Sequence, residues 1–180
     1  MSKIPEQASC VFKGIIFDTY QWEQKIYNGQ TKTFEMLKRA DTVNIIPLKE
    51  GYVYFNEQIQ PHLNHKYNSL FGGRVEPNEE AENAAHRELK EEAGISSAKL
   101  TFFKKFEPIS KIDWTIYFYI AHDFKFGSKN LDGGEEISVK KLPIDTFIDT
   151  IILEKNIEGV QSLCLPLYAE DLRRNLKCII

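Results

Sequence analysis

The sequence has few cysteines and no strong excess of charge of either sign. Its three cysteines, Cys10, Cys164 and Cys178, are widely spaced and form no CxxC pair. This spacing argues against a disulfide framework and against a zinc knuckle. The formal net charge is −3, from 23 Lys and Arg against 26 Asp and Glu. A general nucleic-acid binder needs excess basic charge to neutralise phosphates, so we expect no nucleic-acid partner.

Long apolar runs are also missing. One of the longest, residues 114–121, falls far short of the roughly 20 residues that a membrane-spanning helix needs. We therefore expect no membrane partner. The first ten residues, MSKIPEQASC, have neither the apolar run of a secretory signal nor the Arg-rich character of a transit peptide. These features together predict a cytoplasmic protein.

The composition favours a folded chain of one globular unit in two sections. The 180 residues are 42% hydrophobic and 12% aromatic, which is enough apolar surface to offset the entropy cost of ordering the chain. Residues 1–40 form an N-terminal section, with strands predicted at 11–17, 20–27 and 31–39. Asn28-Gly29 supplies the hairpin turn between the last two. A sheet this small has little core of its own, so it should dock on another surface.

Residues 41–180 form the second section, in which strands and helices are mixed. Lys49-Glu50-Gly51 predicts a hairpin, and the polar residues 60–69 predict a loop. The strands are predicted at 43–48, 52–58, 100–106, 114–121 and 137–141, and the helices at 79–93, 143–153 and 159–174, the last interrupted by Pro166. This mixture predicts an α/β (α+β) sandwich.

Chemistry is concentrated in residues 72–95, GGRVEPNEEAENAAHRELKEEAGI. On the predicted helix, Ala81, Ala85 and Leu89 share one apolar stripe that faces the core. A different face carries three carboxylates at spacings i, i+3 and i+4: Glu88, Glu91 and Glu92. Like charges at these spacings destabilise an isolated helix by roughly 0.2–0.5 kcal/mol per pair. A hard divalent cation would neutralise them. Taken alone, however, a Glu-rich run is more often a solvated helix face.

The full spacing of this segment is much more specific than the glutamates alone. Nine fixed positions fall within 23 residues: Gly73, Glu79, Arg87, Glu88, Leu89, Glu91, Glu92, Gly94 and Ile95. This is the pattern of the Nudix box, so the chain resembles the Nudix hydrolases. One departure is Asn78, which stands where many members have glycine and removes no metal ligand.

The resemblance implies a Nudix α/β/α sandwich and a metal-dependent hydrolysis of a nucleoside diphosphate linked to another group. It implies that Glu88, Glu91 and Glu92 bind Mg²⁺, with Mn²⁺ as the alternative. It makes Glu92 and Arg87 catalytic residues as well, the arginine orienting a carboxylate through a salt bridge. In one branch of the family the general base is a glutamate on a late loop. Here the sequence DGGEEISV offers Glu135, which we favour, and Glu136.

At lower specificity, the rest of the chain resembles the ADP-ribose and nucleotide-sugar pyrophosphatases. That branch implies a homodimer built through the N-terminal antiparallel sheet. It makes Trp22 and Phe34 candidates for stacking on the base, and Arg39 a candidate ligand contact across the dimer. Gln60 is a further candidate substrate contact, although it replaces an arginine common in that branch. ADP-ribose is therefore the favoured substrate, and a Nudix-fold nucleotide-binding or regulatory module without hydrolysis is the alternative.

Overall fold

The computed structural model describes residues 2–59, 63, 65–96, 98–127 and 136–180, although not the side chains of residues 136 and 137. Two of the candidate site residues, Gln60 and Glu135, lie outside the described residues. Twelve strands are described: β1 Ser9–Phe12, β2 Asp18–Lys25, β3 Thr31–Lys38, β4 Thr42–Lys49, β5 Tyr52–Ile59, β6 Tyr67–Ser69, β7 Ile95–Ser96, β8 Lys99–Phe106, β9 Ile112–Asp113, β10 Ile116–His122, β11 Lys125–Phe126 and β12 Glu136–Pro143.

The N-terminal section forms a small sheet in the order β1-β2-β3-β9. The hairpin predicted at Asn28-Gly29 joins β2 to β3, and Gly29 has the positive φ of +85° that such a turn requires. The fourth strand, β9, was not predicted and pairs in parallel with the end of β3. The first strand ends at Phe12 rather than at residue 17. The chain then folds back so tightly at Gly14 that a Cβ there would lie 2.4 Å from the Phe17 carbonyl oxygen.

The central sheet is mixed and has the order β12-β5-β4-β10-β8, with β6 also paired to β5. β4 and β5 form the predicted hairpin, since Glu50 and Gly51 both have positive φ, +52° and +78°. β10 lies parallel to β4 and antiparallel to β8. The prediction of a loop throughout residues 60–69 was wrong, because Tyr67–Ser69 pairs with the polar part of β5. Short polar strands of this kind carry no apolar alternation to predict them.

Two hydrophobic clusters cover the two faces of this sheet. Alternation along β4 sends Val43 and Ile45 to one cluster and Ile46 and Leu48 to the other. The first cluster is completed mainly by the helix α1, Ala81–Ala93, and the second by the C-terminal helices. The result is three layers, which confirms the predicted α/β/α sandwich.

The C-terminal helices differ from the prediction in their detailed geometry. α2 begins as Ile144–Thr146 and continues as a π-helical segment, Phe147–Leu153. The last predicted helix is divided into α3, Gln161–Cys164, a 3₁₀ turn, Leu165–Tyr168, and α4, Ala169–Ile179. Pro166 lies at the start of the 3₁₀ turn, as its missing N–H would suggest. Within the described residues, no helix combines the length and apolar character needed to cross a membrane.

Candidate active site

The helix α1 is oriented by its apolar stripe. Ala84, Ala85, Leu89 and Ala93 are buried against the sheet, so the opposite edges of the helix remain available for polar residues. The helix ends at Gly94, whose left-handed backbone (φ +63°, ψ 21°) directs its N–H to the carbonyls of Leu89 and Lys90. Glycine adopts this conformation without strain, which explains why the Gly94 position is fixed in the sequence pattern.

The loop before α1 brings the backbone directly against the acidic helix edge. Gly72 has φ +146°, and a Cβ there would lie 2.0 Å from the Val43 carbonyl oxygen. At Gly73, a Cβ would lie 2.2 Å from Glu88 Oε1. Neither position can hold a side chain without moving β4 or the glutamate. Asn78 takes a positive φ of +65°, a conformation that glycine adopts freely and that asparagine tolerates better than most other residues.

Arg87 uses all five of its N–H groups inside this site. Its Nε and Nη2 each donate to a different oxygen of Glu79, both at 3.1 Å, and Nη2 also donates to the Arg74 carbonyl at 2.8 Å. Its Nη1 donates to Glu88 Oε1 at 2.8 Å and to Glu91 Oε2 at 3.2 Å. One guanidinium therefore ties the glycine loop to two of the three clustered carboxylates.

The electrostatic environment differs among the carboxylates that Arg87 contacts. Burial raises the pKa of Glu88, and the hydrogen bond from Arg87 only partly opposes this effect. The pKa of Glu79 is lowered, chiefly by its hydrogen bond from Arg87. The same hydrogen bond with Glu79 is the main reason that the pKa of Arg87 is raised. Of the two clustered glutamates that Arg87 contacts, Glu88 is the less exposed, with 12% of its side chain exposed against 41% for Glu91.

Glu92 lies at the other end of the cluster and faces the sheet. Its Oε2 accepts the backbone N–H of Gly72 at 2.9 Å and a long hydrogen bond of 3.4 Å from Asn56 Nδ2. Asn56 is fully buried in β5. These two donors hold the Glu92 carboxylate beneath the glycine loop, where β5 and the loop meet α1.

The fit of this cluster to a divalent cation rests on its donor chemistry. Carboxylate oxygens are the ligands that Mg²⁺ and Mn²⁺ prefer, and Glu88 is mostly buried, with 12% of its side chain exposed. In the side-chain positions described, however, no three His, Cys, Asp or Glu groups are close enough together to hold a metal ion. The Arg87 guanidinium lies between Glu88 and Glu91 instead. The donor set fits, and the arginine would have to share this space with the cation.

A basic cavity of about 260 Å³ adjoins the glycine loop at Arg74. Four cationic side chains line it, with one carboxylate, that of Asp18: Lys13, Lys38, Arg39 and Arg74. The Arg39 guanidinium carbon lies 4.3 Å from the centre of the Trp114 ring and 5.5 Å from that of Phe17. Burial, with a smaller contribution from Arg74, lowers the pKa of Arg39. Among the described residues, its buried Nε has no hydrogen-bond partner.

The two aromatic residues predicted to stack on a base contact each other. Trp22 and Phe34 are directly opposite on β2 and β3, with ring centres 6.0 Å apart and planes tilted by 46°. Lys111 Nζ lies 5.5 Å from the centre of the Phe34 ring. Any base that stacks here would therefore use an outer ring face. The stacking role of both residues remains a prediction.

The described residues bring part of the predicted site together. Arg87 contacts Glu88 and Glu91, Glu92 lies against the glycine loop, and Arg39 lines the cavity that adjoins the loop at Arg74. Glu136 is the first residue of β12. Neither Arg74 nor Asn56 was predicted as a site residue, because no sequence pattern selects them. Arg74 follows the fixed glycines at a position that the Nudix box does not specify, and Asn56 falls within an apolar strand pattern.

Comparison with known proteins places this geometry in a family. Residues 38–159 match the NUDIX domain family. An ADP-ribose pyrophosphatase of Bacillus subtilis (strain 168) is 25% identical over 145 residues, which are 78% of each chain. A methanol dehydrogenase activator of Bacillus methanolicus is 25% identical over 164 residues, covering 89% of this chain and 88% of the relative.

A solved structure has the same fold. The crystal structure of an ADP compounds hydrolase superposes with a TM-score of 0.73 at 20% identity, over 97% of this chain and 94% of the other. The family match spans well over half of the chain and includes the whole glycine loop and α1. This confirms the resemblance read from residues 73–95: the chain belongs to the Nudix family and is a Nudix hydrolase.

Proposed function

We propose that this Nudix hydrolase cleaves the pyrophosphate bond of a nucleoside diphosphate sugar, with ADP-ribose as the favoured substrate. The products would be a nucleoside monophosphate and a sugar phosphate. One observation carries the proposal: the acidic edge of α1 and the basic cavity of Arg39 and Arg74 adjoin the same short loop, Gly72-Gly73-Arg74. A diphosphate needs both cationic groups for its oxygens and carboxylates that can bind metal.

The cation-binding residues in this proposal are Glu88, Glu91 and Glu92. Mg²⁺ bound there, or Mn²⁺ in its place, would lower the pKa of a water ligand and stabilise negative charge on the diphosphate oxygens. Arg87 would keep the carboxylates and the glycine loop in a fixed relation through its hydrogen bonds to Glu79 and Arg74.

The substrate-binding residues are assigned by charge and by shape. Arg39 and Arg74 would contact the phosphates, because arginine presents several donors to phosphate oxygens. Trp22 and Phe34 would offer an outer ring face to the base. Gln60 and the general base Glu135, with Glu136 as the alternative, complete the proposed set, and their side chains are not described.

The substrate class comes from two relatives. The B. subtilis protein is named for ADP-ribose, and the solved structure for ADP compounds. Both names include a diphosphate attached to adenosine, which suits a site with adjoining metal-binding and phosphate-binding groups. We extend that substrate class to this chain, and we place ADP-ribose first within it.

We also propose that the active form is a homodimer joined through the N-terminal sheet. The first strand and the turn after it expose large apolar side chains: 53% of Val11, 62% of Phe12, 93% of Ile15 and 49% of Ile16. Clustered exposure of this kind is typical of an interface. Lys13, Ile15 and Ile16 also line the basic cavity, so dimerisation at this surface would shape the proposed phosphate site.

Hydrolysis of a nucleotide-sugar panel tests the proposal. Pure protein is incubated with ADP-ribose and other nucleoside diphosphate sugars, with Mg²⁺, with Mn²⁺ and with EDTA, and products are separated by ion-exchange chromatography. We expect a nucleoside monophosphate and a sugar phosphate in equal amounts, only when metal is present. Failure to turn over any member of the panel with either metal would contradict the assigned substrate class.

A second candidate is a regulatory module that binds a nucleotide without hydrolysing it. The relative named as a methanol dehydrogenase activator supports this alternative, since its name describes an effect on another enzyme and the similarity covers most of both chains. The complete set of metal-binding glutamates argues for hydrolysis. Calorimetry that shows tight nucleotide binding, with the nucleotide recovered intact, would favour the regulatory function.

A further inference from the structure

Asn56 is a polar residue in a place where the sheet packs apolar side chains. It is fully buried near the middle of β5, next to the core residue Phe55. Its register partners are Val139 on β12 and Ser69 on β6. Burying an amide without complete hydrogen bonding destabilises a protein, so a half-bonded amide inside a strand calls for a specific explanation.

The contacts of Asn56 lead to Glu92. Asn56 Nδ2 donates to Glu92 Oε2 over 3.4 Å, and the Gly72 N–H donates to the same oxygen over 2.9 Å. The amide orientation that allows this donation leaves Asn56 Oδ1 buried with no hydrogen-bond partner among the described residues. The strand β5, the glycine loop and α1 therefore meet at one carboxylate oxygen.

We propose that Asn56 is a positioning residue, which holds the Glu92 carboxylate beneath the glycine loop and whose Oδ1 accepts a hydrogen bond from an ordered water of the site. A neutral amide suits this task because it donates to the carboxylate without cancelling its charge, which must remain available to a cation. Lysine or arginine at the same position would compete with the cation. Valine would fill the strand position and leave Glu92 with one fewer donor.

The consequence for turnover rests on the proposed function, whereas the positioning itself is present in the metal-free protein. Replacing a residue that orients a metal ligand typically lowers metal affinity or activity by about 10- to 100-fold. Asn56→Val should therefore weaken Mn²⁺ binding and lower kcat within that range. KM should change little, because Asn56 contacts Glu92 and is not among the residues that line the cavity of the proposed phosphate-binding arginines.

Amide hydrogen exchange of the metal-free protein gives the decisive test. The Gly72 N–H is protected by Glu92 Oε2, and the Ile45 N–H by the Phe71 carbonyl at 2.8 Å in the adjoining sheet. In Asn56→Val, we expect exchange at Gly72 to accelerate about tenfold, as for a weakened hydrogen bond to a charged group. Exchange at Ile45 should stay as in the original protein. Ser69→Ala, which removes another buried polar group from the neighbouring strand, is the matched control and should leave both rates unchanged.

The outcomes separate this proposal from the proposed function. Unchanged exchange at Gly72 in Asn56→Val would overturn the positioning role, whatever the enzyme hydrolyses. Faster exchange at Gly72, with exchange at Ile45 unchanged, would support the positioning role. Metal binding by the original protein is measured separately, by an electron paramagnetic resonance titration with Mn²⁺. Absence of Mn²⁺ binding there would count against the proposed metal centre and not against the positioning role. If Asn56→Val does not fold, Asn56→Ser removes the same amide with a smaller change in shape, and the same two amides are compared.

Discussion

Replacement of Arg87 by lysine tests whether the geometry of this side chain matters or only its charge. The arginine makes five hydrogen bonds, to Glu79, Glu88, Glu91 and the Arg74 carbonyl. Lysine keeps the positive charge but has only three N–H donors, and it cannot pair with both oxygens of Glu79 in the planar arrangement that arginine allows. At least two hydrogen bonds are lost.

The expected loss of stability follows from those two bonds. A hydrogen bond to a charged group contributes about 1.5–3 kcal/mol at most. Because 31% of the Arg87 side chain is exposed, solvent screening reduces this to about 1 kcal/mol each. A total of about 2 kcal/mol should lower Tm by about 4–8 °C for a chain of this size. We expect turnover to fall as well, by about 10- to 100-fold, because Arg87 orients proposed metal ligands.

Arg173 provides a matched control for Arg87→Lys. It joins α4 to α2 and the π-helical segment through Asp145 at 2.6 Å and Asp149 at 2.7 Å, away from the site. Arg173→Lys should therefore lower Tm, as measured by differential scanning calorimetry, while turnover stays the same. If Arg87→Lys and Arg173→Lys had equal turnover, the proposed positioning role of Arg87 would be refuted. If Arg87→Lys retained the Tm of the original protein, the loss of stability could not be calculated from the number of hydrogen bonds lost, and that reasoning would be refuted.

Three other predictions follow from single features of the structure. Glu92→Gln should reduce turnover by about 100-fold, with circular dichroism unchanged because the glutamine amide oxygen can still accept the Gly72 N–H; unaltered kinetics would exclude its assigned role. Ile15→Lys should convert the proposed dimer to a monomer in sedimentation experiments, and a monomer in the original protein would contradict the proposal of a dimer. Hydrogen bonds from Lys177 and Arg173 lower the pKa of Asp145, so its stabilising contribution is present at neutral pH and is lost as the pH falls through about 4 and below. Asp145→Asn should accordingly lower Tm at pH 7 but not at pH 2, and an equal deficit at both values would count against the ion pairs.

The sequence was sufficient to predict the part of the fold that local geometry dictates. Gly73, Arg87 and Gly94 are specified by contacts within about twenty residues of one another, so their spacing carries the information. The helix α1 was predicted to end at residue 93, and it does. The hairpin at Lys49-Glu50-Gly51 was predicted because these residues separate two strand-like runs, and β4 and β5 do pair on either side of them.

Features that depend on distant pairing were not predictable in the same way. β9 is two residues long, and it forms a strand only by pairing with the end of β3, which lies about 75 residues earlier in the chain. Arg39 acquires its environment from Trp114, which lies equally far along the chain. Asn56 looked like an ordinary position of a strand, because the sequence does not show which buried face meets Glu92. In each case the physical cause is a tertiary contact that no local pattern encodes.

Backbone hydrogen bonds fix the glycine loop, which adjoins both the glutamates of α1 and the arginines of the basic cavity. Hydrogen bonds from Ile45 N to Phe71 O, from Val43 N to Gly73 O and from Val75 N to Asp41 O bind the loop to β4 and the residue before it, at 2.8, 3.0 and 2.8 Å. A Cβ at Gly72 would collide with that same strand. The loop is therefore fixed at its base, with Gly73 directly against Glu88 and with Arg74 lining the cavity of Arg39. In the proposed function a diphosphate would engage both the carboxylates and the arginines that adjoin this loop, whereas a monophosphate would engage only one of the two groups.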